Sequence, residues 1–206
     1  PVEIDKIIPE VVHRYFAASL GLLAIFLLFI SIKEKKHILT SSLLLAIIIG
    51  QGIFGYLTVS LKLHPLIVTT HLFGAMITTS IFLVIFLRSL KLQQNFEILK
   101  ANRHLIMVGF VLIIFQIFLG AWTSTNYAAR ACLDLPYCQG ELIPNTNFKE
   151  AFNLFQTIGP NYLFGQMSNE ARVAIHITHR IGAIVVFLYS LFLIFKLKSK
   201  ETLPVL

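Results

Sequence analysis

Five long, nearly uncharged stretches run through this chain, at about residues 11–32, 39–61, 66–88, 104–127 and 172–195. A helix rises about 1.5 Å per residue and needs about 20 apolar residues to cross the hydrocarbon of a bilayer. Each stretch is long enough. They are too long, and recur too often, to be signal or targeting segments. Only 13% of the 206 residues are charged, where a soluble domain carries about 25%. The fold class expected is therefore all-α: a polytopic transmembrane helical bundle with five spans.

The net charge of +7 raises nucleic acid as a partner, but its distribution points to a bilayer instead. Lys33, Lys35 and Lys36 fill the first connection, and Arg88, Lys91, Lys100 and Arg103 fill the third. Lys196, Lys198 and Lys200 follow the last stretch. If the spans alternate, these ten of the 17 basic residues share one side, leaving seven for the other. The positive-inside rule then puts the N-terminus outside and the C-terminus in the cytoplasm. The basic balance reads as topology, and no nucleic-acid partner is expected. The chain opens on Pro1 rather than methionine, which suggests a partial or processed chain.

The connection between the second and third spans is short, LKLHP, with Pro65 near the start of the third. The connection at about 128–171 is long and lies on the same, outer side. Within it, Phe148, Phe152 and Phe155 fall at i, i+4 and i+7, which suits a short amphipathic helix on the membrane surface. A loop whose aromatics dip into the interface fits equally well.

Two motifs repeat. QGIFGYLT (51–58) and QIFLGAWT (116–123) both read Q-x3-G-x2-T, placing Gln, Gly and Thr on one helical face. His13–Arg14 and His179–Arg180 each open an apolar run. Together they suggest duplicated bundle halves, a common membrane architecture: residues 1–100 with three spans, and 101–206 with two spans and the long outer loop.

Of seven histidines, His37 and His104 sit at cytoplasmic helix starts and His64 in the short outer connection. His13, His71, His176 and His179 lie within apolar segments, where an ionisable group is costly and points to function. Counting from the outer ends, His13 lies about one turn in, His71 roughly 8 Å and His179 about 10 Å. Three imidazoles at one depth on different helices are how bundles supply axial ligands to haem iron. Ala17 and Gly21 follow His13, Gly74 and Ala75 follow His71, and Gly182 and Ala183 follow His179. Such small residues leave room for a macrocycle, although they also serve close helix packing. The shared depth favours haem.

Arg14 and Arg180 are placed to hold haem propionates by charge-assisted bonds, or to snorkel into the headgroups. Glu10 precedes His13 by one turn on the same face. It reads either as an N-terminal helix charge or as a base beside the bound macrocycle. Cys132 and Cys138, in ACLDLPYC, enclose Pro136 on the oxidising side of the membrane, and a disulfide is expected. Zinc is not, since no second ligand pair is spaced for it. No phosphate-binding loop, dinucleotide fingerprint or nucleophile motif is present.

EVVHR, QGIFGYLTV followed by LHPLIVTTHLFGA, QIFLGAWT leading into CLDLPYCQG, and AIHITHRIGA resemble the haem A synthase family, in the family's order across nearly the whole chain. The resemblance implies an integral-membrane oxidoreductase of cytochrome oxidase assembly, in a bacterial plasma membrane or a mitochondrial inner membrane. Such enzymes have eight helices in two similar four-helix bundles and oxidise the methyl group at ring position 8 of haem O to a formyl group. It further implies that His13 and His71 are axial ligands of the substrate haem O, with Glu10 the acid beside it. His179 becomes one axial ligand of a resident haem b. Cys132 and Cys138 become the cysteine pair of the second outer loop, and His176 is not made a ligand. By the same resemblance, the five spans match the family's second to sixth helices. Its first helix and first cysteine pair would precede Pro1, and two helices with the second haem b ligand would follow Leu206.

The partners implied are haem O, handed over by a haem O synthase, and the lipid bilayer; a homo-oligomer is compatible. The electron acceptor is not legible. A membrane haem-binding electron-transfer or haem-handling protein is the alternative, and a transporter or scaffold using its polar stripes for packing is a third.

Overall fold

The computed structural model describes residues 4–90 and 100–198. Helix α1 runs over Ile4–Lys33, α2 over Ile38–Ser60, α3 over Pro65–Ser89 and α4 over Arg103–Thr125. A 3₁₀ turn at Ala128–Arg130 and a four-residue helix, α5 (Phe148–Ala151), precede α6 (Asn169–Lys198). Among the described residues, five helices are long and apolar enough to cross a membrane: Ile8–Lys33, Ile38–Ser60, Pro65–Leu87, Arg103–Thr125 and Asn169–Lys198. The protein is an all-helical, multi-pass membrane protein, and each expected span agrees within a few residues. Lys91 and Lys200, two of the basic residues that set the expected orientation, lie outside the described residues.

The spans pack in chain order, α1 on α2, α2 on α3, α3 on α4 and α4 on α6. Large apolar side chains such as Phe16 (73%) and Tyr56 (72%) stay exposed, as lipid-facing residues do where hydrocarbon replaces water. Hydroxyls inside the spans bond back to their own helix: Thr58 to the Gly55 carbonyl, Thr78 to Gly74, Thr123 to Leu119 and Thr178 to Ala174. No donor is left bare against lipid at these positions. Pro9 sits inside α1, which starts before the expected span at about residue 11. There it removes the main-chain bond that an N–H at this position would make to the Asp5 carbonyl.

Two tight turns reverse the chain. Residues 34–37 close with Glu34 N–H on the Ile30 carbonyl and Lys36 N–H on Ser31, and the Ser31 and Ser41 hydroxyls pair across the hairpin at 2.7 Å. Residues 61–64 close with Leu63 N–H on the Thr58 carbonyl.

The long connection docks on that second turn. Tyr162 N–H donates to the Lys62 carbonyl at 3.0 Å, Lys62 Nζ to the Gly159 carbonyl and His64 Nε2 to the Gln156 carbonyl. The two connections therefore share one side of the membrane, as the sequence implies. Of the two readings for the phenylalanines, the loop prevails. Helix α5 is a single turn, Phe152 packs toward the core, and Phe155 lies 84% exposed on irregular chain. Asn147 caps α5 by accepting from Glu150 N–H, and no second turn forms beyond Phe152.

The buried core sits where α4, α6 and this loop meet. Trp122, fully buried, stacks on Phe118 with ring centroids 5.9 Å apart and donates Nε1–H to the Ala151 carbonyl at 2.8 Å. Ala171, Ala174 and Ile175 close the cluster from α6.

Candidate functional site

Helices α1, α2 and α3 bring His13 and His71 together. Their ring centroids lie 6.3 Å apart with planes at 70°. A metal-bound imidazole nitrogen sits about 2 Å from its ion, so rings on opposite sides of one ion have centroids about 6 Å apart. The observed spacing fits. Glu10 lies one turn before His13, and its carboxylate accepts from Arg14 Nη2. Glu10, His13 and Arg14 are all exposed, whereas His71 is half-buried.

Behind His71 stands the Q-x3-G-x2-T face of α2. A Cβ built on Gly55 would lie 3.4 Å from Cε1 of the His71 ring, and one on Gly74 would fall on the Gln51 amide. Both glycines are hollows already filled by polar side chains. His71 Nδ1 and Gln51 Oε1 are buried there without a hydrogen-bond partner.

The same arrangement recurs between α4 and α6. A Cβ on Gly120 would lie 3.3 Å from His179 Cε1, and one on Gly182 would fall on Gln116 Oε1. Gln116 Nε2 lies 2.9 Å from His179 Nδ1 and donates to the His179 carbonyl at 3.0 Å. Its Oε1 is buried without a partner. Sequence reasoning found the glutamine repeat but not what it touches. The signal was present in the pairing of Q-x3-G with H-x2-G on neighbouring helices.

Arg180, one residue beyond His179, is held by the outer loop: Nη2 donates to the Cys132 carbonyl at 2.7 Å and Nη1 to that of Tyr137 at 3.0 Å. Cys132 and Cys138 form a disulfide, both buried against Val173. The loop they close is also tied by Asp134, whose carboxylate accepts from Gly140 and Gln139 N–H. These bonds, Gly140 foremost, hold its carboxyl below the usual range, with Arg180 adding to the effect. His176 Nδ1 donates to the Ala128 carbonyl at 2.9 Å, which anchors the 3₁₀ turn to α6. Among the described residues, no three or more of His, Cys, Asp and Glu cluster as a metal site. The paired imidazoles are the arrangement to interpret.

The family model described as cytochrome oxidase assembly protein (COX15-CtaA) matches residues 2–205. The chain belongs to that family. Within the cytochrome oxidase assembly proteins it is 37% identical over 213 residues to a heme A synthase from Shewanella oneidensis, covering 99% of this chain and 64% of the relative. It therefore spans less than two thirds of that relative's length. No solved structure matches the chain.

Proposed function

We propose that this assembly protein acts as a haem A synthase, oxidising a ring methyl of haem O to a formyl group. The observation that carries the reading is the His13–His71 pair, whose ring spacing suits two imidazoles that would hold one iron, in a chain similar to a heme A synthase. His13 and His71 hold the substrate haem between α1 and α3. His179 offers a ligand for haem b on the other side of the α3–α4 contact.

Turning a methyl into a formyl group adds one oxygen atom from water and releases four protons and four electrons, the electrons passing to an acceptor outside the chain. Glu10, one turn from His13, is the carboxylate placed to take a proton from the reacting carbon or from water. Arg14 orients it through their ion pair. Haem b, when bound at His179, supplies a one-electron redox centre. Gly55 and Gly120 leave room for the imidazoles of His71 and His179, and Gly74 and Gly182 for the amides of Gln51 and Gln116. The basic residues orient the protein with its N-terminus outside and the histidines toward the outer leaflet, in a bacterial plasma membrane. Haem O arrives from a haem O synthase.

The test is conversion of haem O to haem A by the purified full-length protein, read by chromatography of extracted haems. Formyl product is expected. Bound haem O that is never oxidised would instead make the protein a haem carrier.

A further inference from the structure

The loop closed by the Cys132–Cys138 disulfide is inverted relative to a turn that faces water. Such a turn buries its apolar side chains and exposes its polar ones. Here Leu133 (85%), Leu135, Leu142 and Ile143 (91%) are all exposed. The Asp134 carboxylate meanwhile folds back on the N–H groups of Gln139 and Gly140.

The depth of the loop accounts for the inversion. Between Arg172 and Lys196, α6 has 23 residues, 173–195. At about 1.5 Å each they cover one hydrocarbon thickness of about 30 Å. The loop lies along the start of that stretch: both cysteines pack with Val173, and Ile177 packs against the same cluster. Arg180 reaches the Cys132 and Tyr137 carbonyls from farther in. Residues 171–180 of α6 include no exposed position, whereas Ile181, Ile184 and Val185 are exposed. The aliphatic side chains of the loop therefore continue the lipid-facing surface that α6 itself presents from Ile181 onward.

Non-helical chain is tolerated at membrane depth only where its polar groups are bonded within the protein. Arg180 takes two of the loop carbonyls, and Gln139 Nε2 donates to that of Ala131 at 3.1 Å. Cys138 and Glu141 exchange main-chain bonds at 2.8 and 3.2 Å. Arg180 is the one Lys, Arg, Asp or Glu within 173–195, and main-chain carbonyls are the partners a cation at this depth takes. We propose that residues 131–143 form a wedge inserted into the leaflet around the first turns of α6. Leu133, Leu135, Leu142 and Ile143 lie among its acyl chains. Gln139 and Glu141, the exposed Gln and Glu of the loop, hold the wedge at the headgroup boundary. The wedge needs only the bilayer and does not depend on the haem reading.

The experiment places a tryptophan on the wedge, in full-length protein reconstituted into phosphatidylcholine vesicles. Leu133→Trp and Ile143→Trp are compared with Thr146→Trp. Thr146 is exposed and adjoins Asn147, whose N–H bonds the Glu170 carbonyl at the start of α6. The emission that each variant adds over wild type is read in acyl-brominated and unbrominated lipid, and again with aqueous iodide. Ratios taken within one variant cancel energy transfer to bound haem. On the wedge, acyl bromine should remove most of the added emission and iodide little of it. For Thr146→Trp the order should reverse. Iodide quenching of Leu133→Trp as strong as that of Thr146→Trp would put the loop in water and overturn the proposal. Insensitivity to both quenchers would put another protein surface over the loop and overturn it equally. Ile143→Trp, beyond the disulfide ring, decides by the same outcomes if Leu133→Trp does not fold.

Discussion

The imidazoles of His13 and His71 meet edge to face across the α1–α3 gap, with ring centroids 6.3 Å apart, although α1 packs mainly on α2. Helix α2 thus spaces the two rings without contributing one. His13→Ala or His71→Ala should lower haem O occupancy at least tenfold while circular dichroism shows unchanged helix content. Haem extraction measures the first, and unchanged occupancy in both variants would refute the ligand assignment.

Glu10 is separable from binding because it lies a turn away from the nearer histidine and pairs with Arg14. Glu10→Gln should keep haem O but yield at least a hundredfold less formyl product, within the range general bases contribute. Single-turnover product analysis decides this, and wild-type turnover would rule Glu10 out as the base.

Arg180 ties the disulfide loop to the helix that carries His179, through the Cys132 and Tyr137 carbonyls. A lysine has a single charged nitrogen and cannot reproduce the planar fork that reaches both. Arg180→Lys should leave the disulfide formed but make residues 131–143 cleave faster under limited proteolysis. Cys132 and Cys138 in wild-type protein should resist a thiol probe until reduced.

Glu150 accepts from the hydroxyl and the N–H of Ser168, at 2.7 Å each, and so links α5 to the start of α6. The Ser168 hydroxyl, then its N–H, holds the Glu150 carboxyl below the ordinary range, with Arg172 contributing. A carboxyl lowered on folding adds stability that is full above its unfolded pKa and is lost as pH falls through the folded one. Thermal unfolding in detergent should therefore show wild type losing its advantage over Glu150→Gln as pH drops from about 6 to about 3.

Trp122 Nε1–H meets the Ala151 carbonyl in a fully buried setting. Trp122→Phe leaves that carbonyl unpaired and should cost about 1–3 kcal/mol, read as a lower unfolding midpoint with haem content followed separately.

The spans were legible because apolar length is a property of the chain alone; the stretch expected at 39–61 became Ile38–Ser60. The His13–His71 pairing was legible in part, since counting residues gives depth. Depth says nothing of rotation about the helix axis, and rotation decides which face the rings share. Arg180 shows what composition cannot reach: its partners are main-chain carbonyls of Cys132 and Tyr137, which carry no side-chain signature. Phe155 shows the opposite failure. Its helical spacing from Phe148 was real, yet α5 ends at Ala151 because loop contacts outweigh the periodicity of so short a segment.

The docking of the long connection on residues 61–64 has a consequence for how this region tolerates change. In the bonds to Lys62 and His64, the loop contributes only main-chain atoms, those of Gln156, Gly159 and Tyr162. The side chains of Thr157 and Ile158 can therefore be exchanged without undoing these bonds, whereas Gly159 holds a φ of +129° that favours glycine and Gln156 Nε2 donates to Asn126 Oδ1. At those two positions the surface over the membrane can change while the chain beneath it keeps its course.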